Sequence, residues 1–160
     1  MIRKIVALAI IALCTAPVAA AAPPHPGQPA PTFDIRTLDN KQLKLTKFHG
    51  KAVYLDFFAS WCAPCREETP EIIKLSKQYQ KRGLAVIGLD DNESKDRAQG
   101  FSDQFKVPFP VAVADQKLLD SYGVIALPVH VFIDRNGQIK LYRLGEMSPQ
   151  QIEDAVNSIL

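Results

Sequence analysis

Runs of apolar residues alternate along this chain with segments of helical periodicity. Val53 to Phe58 alternates too little for a half-exposed strand, so it reads as a central strand buried on both faces. Leu84 to Leu89 is a second such run. Between them Ile72, Ile73, Leu75, Ser76 and Tyr79 keep helical spacing, and Gly83 supplies the stop. Pro70 falls inside that helix and should kink it. Glu93 to Phe105 reads as a polar helix, with Phe101 and Phe105 on one face. Phe109 to Val113 is a short segment leading into the next element, and Lys117 to Tyr122 a short helix closed by Gly123. Val129–Ile133 and Ile139–Leu144 flank Asp134-Arg135-Asn136-Gly137, a hairpin signal. Ser148-Pro149-Gln150-Gln151 is a capping box that opens the last helix. Upstream, Phe33–Arg36 and Leu43–Leu45 alternate around an Asp39-Asn40 turn, and Lys47 to Lys51 reads as a loop. The order is β-hairpin, β-α-β, α, β-α, β-β-α. It implies an α/β domain with a mixed central sheet and helices on both faces.

The N-terminus breaks this pattern. Residues 1–20 read as a secretory signal, with Arg3 and Lys4 before an apolar run from Ile5 to Leu13 and small residues at Val18-Ala19-Ala20. Pro17 interrupts the longer apolar stretch, so a cleaved leader is favoured over a membrane anchor. Residues 21–31 carry prolines 23, 24, 26, 29 and 31 with Gly27, and read as an extended linker. Residues 32–160 remain for one domain. The net charge of +2 comes from 19 basic and 17 acidic residues, and Arg3 and Lys4 account for that excess. A domain without surplus charge is not built for nucleic acid. His25 in the linker reads as solvated.

The candidate chemistry lies at Trp61-Cys62-Ala63-Pro64-Cys65-Arg66, between the first apolar strand and the long helix. A thiol at a helix N-terminus meets unpaired backbone N–H groups and the positive end of the dipole, so its thiolate is stabilised. A second thiol three residues on can close a small disulfide ring. C-x-x-C in a strand-to-helix context reads as a redox pair. Structural thiols or a metal clip are the plainer reading, but no second cysteine pair completes a zinc site. The third cysteine, Cys14, lies in the leader behind the large Leu13, which does not suit a lipid-attachment site. No cofactor and no metal are implied.

Asp56 to Pro70, Asp-Phe-Phe-Ala-Ser-Trp-Cys-Ala-Pro-Cys-Arg-Glu-Glu-Thr-Pro, resembles the active-site segment of the thioredoxin superfamily. It looks most like the TlpA/ResA-like branch of exported thiol–disulfide oxidoreductases, and the similarity runs from about Pro29 to the C-terminus. The resemblance implies a thioredoxin fold with an N-terminal β-hairpin and a TlpA-type helical insertion at Glu93–Phe105. It implies that Cys62 is the nucleophile, more exposed, and that Cys65 lies deeper and resolves the mixed disulfide. Trp61 would flank the disulfide as a contact surface. Ile125-Ala126-Leu127-Pro128 resembles the cis-proline loop, which makes Leu127 and Pro128 client-binding positions; Leu127 departs from the Thr or Val often found there. Asp56 matches the buried aspartate of thioredoxins, a proton acceptor for the deeper cysteine, with a purely hydrogen-bonded structural carboxylate as the alternative. Glu93 aligns with a ResA-like glutamate that lines the active-site cavity, or is an exposed carboxylate at a helix start.

The leading expectation is a periplasmic reductase of disulfides in exported clients, such as apocytochrome c, fed by a membrane electron donor of the DsbD/CcdA type. No histidine stands between the cysteines, which opposes the alternative of an exported oxidant or isomerase. A peroxidase needs Pro and Thr or Ser where Leu55 and Ala59 stand. A copper chaperone using Cys62, Cys65 and His130 is the remaining alternative from a different class.

Overall fold

The computed structural model describes residues 22–160. The expected leader, residues 1–20, lies outside the described residues. The chain forms β1 (Asp34–Arg36), β2 (Gln42–Lys44), β3 (Ala52–Phe58), α1 (Ala63–Tyr79), β4 (Leu84–Asp91) and α2 (Lys95–Phe105). It continues through β5 (Val111–Ala114), α3 (Gln116–Ser121), β6 (Val129–Ile133), β7 (Ile139–Leu144) and α4 (Pro149–Ile159). The main sheet has the order β5-β4-β3-β6-β7, and β1 and β2 form a separate hairpin. β3 runs parallel to β4 and antiparallel to β6, so the sheet is mixed. This is the expected thioredoxin-type architecture.

Strand β3 is the centre, and every one of its residues is buried. Successive side chains of a strand point to opposite faces. Val53, Leu55 and Phe57 therefore join one core with Leu118 and Leu119 of α3 and with Leu43 of the hairpin. Ala52 and Tyr54 join the other core, with Ile72 and Leu75 of α1 and Ile152 and Val156 of α4. Asp56 has the parity of Tyr54 and so faces α1. His130 has the parity of Phe132, which belongs to the α1–α4 core, and faces the same way.

Local signals explain most boundaries. Cys62 is the N-cap of α1, with Pro64 in its first turn. The helix passes through Pro70 and gives way to one 3-10 turn, closed by Gly83 in the left-handed region at φ 94°. Ser94 caps α2, so this helix begins at Lys95 and Glu93 lies just outside it. The capping box at Ser148 forms as expected.

Two readings need correction. Leu45–Phe48 is a 3-10 turn, not loop from Lys47 onward. The proline-rich stretch is not an extended linker: it turns at His25–Gln28, where the Gln28 N–H donates to the His25 carbonyl at 3.1 Å, and its second half docks on the domain. Gly27 N–H donates to the Ile139 carbonyl at 2.7 Å, Ala30 N–H to the Gly137 carbonyl at 2.9 Å, and the Ala30 side chain is buried in the core. At the opposite edge Thr37 bridges to Ala112 of β5.

Candidate active site

The end of β3 delivers Phe58 and Ala59 into a tight turn, and α1 starts four residues later. Cys62 and Cys65 form a disulfide there. As the N-cap of α1, Cys62 accepts a hydrogen bond at Sγ from the Cys65 backbone N–H at 3.3 Å. Exposure hardly separates the two sulfurs: Cys62 is 4 % and Cys65 2 % exposed in the disulfide state. The expected contrast between an open and a deep cysteine is therefore absent, and the cap position is what distinguishes Cys62. Phe58 and Phe101 belong to the same buried cluster as the pair, their rings stacked 4.5 Å apart.

Trp61 is 64 % exposed and Ile125 is 84 % exposed, so apolar surface lies open on the Trp61 turn and on the loop leading to Pro128. The Leu127–Pro128 peptide is cis, as the resemblance implied. Pro128 is buried and Leu127 half-buried, with its side chain against the cluster that holds the two cysteines.

Glu93 sits at this turn as well. Its side chain is 6 % exposed, and it accepts hydrogen bonds from the Ser60 backbone N–H at 2.6 Å and the Ser60 hydroxyl at 2.8 Å. Burial pushes the Glu93 carboxyl up, but the two Ser60 donors, Asp90 and Arg97 bring it below its ordinary value. Its neighbour Asp90 is wholly buried and, mainly by burial, raised to about 7. Glu93 is thus not an exposed helix-start carboxylate; its oxygens bond the turn that carries the cysteines. Arg66 braces the same turn, donating to the Ser60 carbonyl at 3.2 Å and lying over the Phe105 ring at 5.1 Å.

Beneath α1 lies the buried charge. Burial first, and the Glu68 charge second, push the Asp56 carboxyl up to about 8. Its partner on β4 is Gly88, which brings no cation, so desolvation dominates as the apolar strand implied. Its partner on β6 is His130. His130 is completely buried; Nδ1 shares a hydrogen bond with the Tyr54 hydroxyl at 2.8 Å, and Nε2 lies 3.5 Å from Glu68 Oε2. Burial and then Arg143 hold His130 down at about 4, so the ring is neutral. Its nitrogens face Tyr54, Asp56 and Glu68, and among the described residues no three His, Cys, Asp or Glu side chains are arranged to hold a metal. Nothing here favours a thiol–imidazole copper site.

Glu68 is the residue the sequence reading missed. It is 6 % exposed, three residues after Cys65 on the same helix, and accepts the Met147 N–H at 2.5 Å. Burial raises its carboxyl to about 7 against the opposing Met147 bond. The signal was available. Cys65, Glu68, Thr69, Ile72, Leu75 and Tyr79 form the buried stripe of α1 at 3–4 residue spacing, and Glu68 lies on it.

A model for the AhpC/TSA family matches residues 26–142. The chain is 34% identical over 134 residues to the thiol-disulfide oxidoreductase ResA of Bacillus anthracis, covering 83% of this chain and 78% of that protein. It is also 34% identical over 134 residues to ResA of Geobacillus thermodenitrificans, covering 83% and 77%. The crystal structure of a thioredoxin-family thiol:disulfide interchange protein from Chlorobium tepidum superposes with a TM-score of 0.78 at 27% identity, over 86% of this chain and 99% of that one.

Proposed function

The chain belongs to the AhpC/TSA family, among its ResA-like thiol–disulfide oxidoreductases, and on that footing we propose that it works outside the cytoplasm as a reductase of disulfides in exported proteins. The observation that carries this reading is the Cys62–Cys65 pair at the N-terminus of α1, next to open apolar surface and with no histidine between the cysteines. Reduced Cys62, at the cap, is the thiolate that attacks a client disulfide; the helix N-terminus stabilises its charge. Cys62 then bonds to one client sulfur, and the other leaves with the electron pair and takes up a proton. Cys65 next loses its proton, with Asp56 as acceptor, and attacks Cys62 Sγ. The Cys62–Cys65 bond forms as the Cys62–client bond breaks, so two electrons pass to the client and the second client sulfur leaves as a thiolate.

Trp61 and Leu127-Pro128 flank the pair and form the surface on which a client strand lies. The client is a cysteine-containing exported protein, apocytochrome c among the candidates. The leader pattern of residues 1–20 supports export, and the proline-rich stretch after it leads into the domain, docking on it from Gly27 onward. Among the described residues no helix is long and apolar enough to cross a membrane. Electrons then come from a membrane donor of the DsbD/CcdA type, because the pair must be re-reduced after each turnover. A peroxidase role finds no support: Leu55 and Ala59, where that chemistry needs Pro and Thr or Ser, are completely buried apolar residues.

The test is the midpoint potential of the Cys62–Cys65 couple in thiol redox buffers. A value near the roughly −270 mV of thioredoxin is expected; one above about −180 mV, in the range of the isomerases, makes the protein an oxidant or isomerase instead.

A further inference from the structure

Three titratable side chains from three elements meet beneath α1: Asp56 of β3, His130 of β6 and Glu68 of α1. Their side chains are 8 %, 0 % and 5 % exposed. His130 Nδ1 lies 3.8 Å from Asp56 Oδ1, and His130 Nε2 lies 3.5 Å from Glu68 Oε2. Neither that Nε2 nor that Oε2 has a hydrogen-bond partner among the described residues, although both are buried. A buried polar atom left without a partner costs roughly 1–3 kcal/mol, so orphans call for an explanation. Here the orphans face each other across a gap a few tenths of an ångström wider than a hydrogen bond. A proton on either atom makes them donor and acceptor.

We propose that His130 is a positioning residue that joins Asp56 and Glu68 into one proton-exchanging unit, which receives the Cys65 proton during resolution and releases it to solvent beside Glu68. The proposal rests on the thiol–disulfide reading and deepens it. In the mixed disulfide Cys65 gives its proton to the unit; its thiolate attacks Cys62 Sγ, the Cys62–Cys65 bond forms, and the client sulfur leaves with the electron pair. Inside the unit the Tyr54 hydroxyl, bonded to His130 Nδ1 at 2.8 Å, passes its proton to that nitrogen and is reprotonated from Asp56, while His130 gives the proton on Nε2 to Glu68. The ring ends neutral, as the other tautomer.

The surroundings suit this exchange. The depressed basicity of His130, set first by burial and then by Arg143, keeps it from trapping the proton as an imidazolium. The two carboxyls are raised to about 8 and about 7, close enough for a proton to pass between them in either direction. The groups that face the unit are Tyr54 from β3, Glu67 from α1, Arg143 from β7, and the Gly145 backbone, Glu146 and the Met147 N–H from the segment after β7. Glu68 also lines a cavity of about 300 Å³ with Glu71, Glu146 and Met147, the way out.

The ring nitrogens of His130 report the exchange directly. With three histidines in the chain, at 25, 49 and 130, its 15N resonances can be assigned in the unaltered protein. The expected result is a neutral ring whose proton moves from Nδ1 to Nε2 as Glu68 ionises, between about pH 6 and pH 9. One fixed tautomer over that range overturns the proposal, whether or not any variant folds. His130→Gln keeps a partner for Tyr54 but cannot exchange protons. It should slow resolution about tenfold and change its pH profile, with attack by Cys62 altered less than about twofold. Unchanged resolution, or equal slowing of both steps, overturns the proposal. Failure of the underlying redox reading has a different signature: Cys65→Ser would then capture no client.

Discussion

Glu93 holds Ser60 by both its backbone N–H and its hydroxyl, at 2.6 and 2.8 Å, two residues before Cys62. A carboxylate that accepts two hydrogen bonds is stabilised as the anion and makes a weak base. Glu93 thus belongs to the frame of the site, which leaves Asp56 and Glu68 as the carboxyls proposed to handle the proton.

Removing this clamp should cost stability and leave the acid–base behaviour alone. Glu93→Ala leaves the Ser60 donors unpaired in a partly buried turn, at a cost of about 1–3 kcal/mol. The denaturant midpoint should fall with an unchanged m-value. The pH profile of single-turnover client reduction should keep its shape. A profile that loses its inflection near neutral pH would show Glu93 to be a proton acceptor after all.

Capture of clients separates the two cysteines. Because they are almost equally buried, the assignment of Cys62 as attacking thiol rests on its place at the helix cap. Cys65→Ser should accumulate client-linked mixed disulfides, visible on non-reducing gels and lost on reduction. Cys62→Ser should accumulate none. Equal capture by both variants reverses the assignment of roles.

The fold was legible because its signals are local. The apolar run of β3, the stripe of α1, the Asp134–Gly137 turn and the Ser148 capping box each declare themselves within a few residues. Asp56 was legible for the opposite reason, as the one carboxylate in an apolar strand. Glu68 was hidden among acidic neighbours in Arg66-Glu67-Glu68-Thr69, where polarity suggests solvent; only the phase of the helix reveals its burial. The setting of His130 could not be read at all. It depends on the antiparallel register that pairs it with Asp56, a contact between segments 74 positions apart in the chain. The proline-rich stretch misled in another way. Its composition reports stiffness, but the pocket that receives Ala30 is built by distant strands.

The last prediction concerns the energetic cost of Asp56. Its carboxyl titrates near 8 in the folded protein, against about 3.9 when unfolded. A group raised in this way favours folding fully below its unfolded value, and the benefit is lost as the pH rises through the folded one. Asparagine resembles the protonated acid in size and polarity and does not titrate. Asp56→Asn should therefore match the wild type near pH 4 and become the more stable protein as the pH rises. The gap should grow up to about pH 8 and then level off, at ~5 kcal/mol in favour of the variant, since each unit between the two values is worth about 1.4 kcal/mol. The same change removes the first acceptor of the Cys65 proton, so resolution should slow by about 10²-fold, the lower end of what a positioned base contributes. Attack by Cys62, which needs no such base, should be nearly unaffected. Urea unfolding of both proteins from pH 4 to 9, with stopped-flow reduction of a model disulfide, measures the two effects together. A stability gap that does not change with pH would mean that Asp56 is ionised throughout and paired. A variant that is more stable yet resolves as fast as the wild type would leave Glu68 as the sole acceptor.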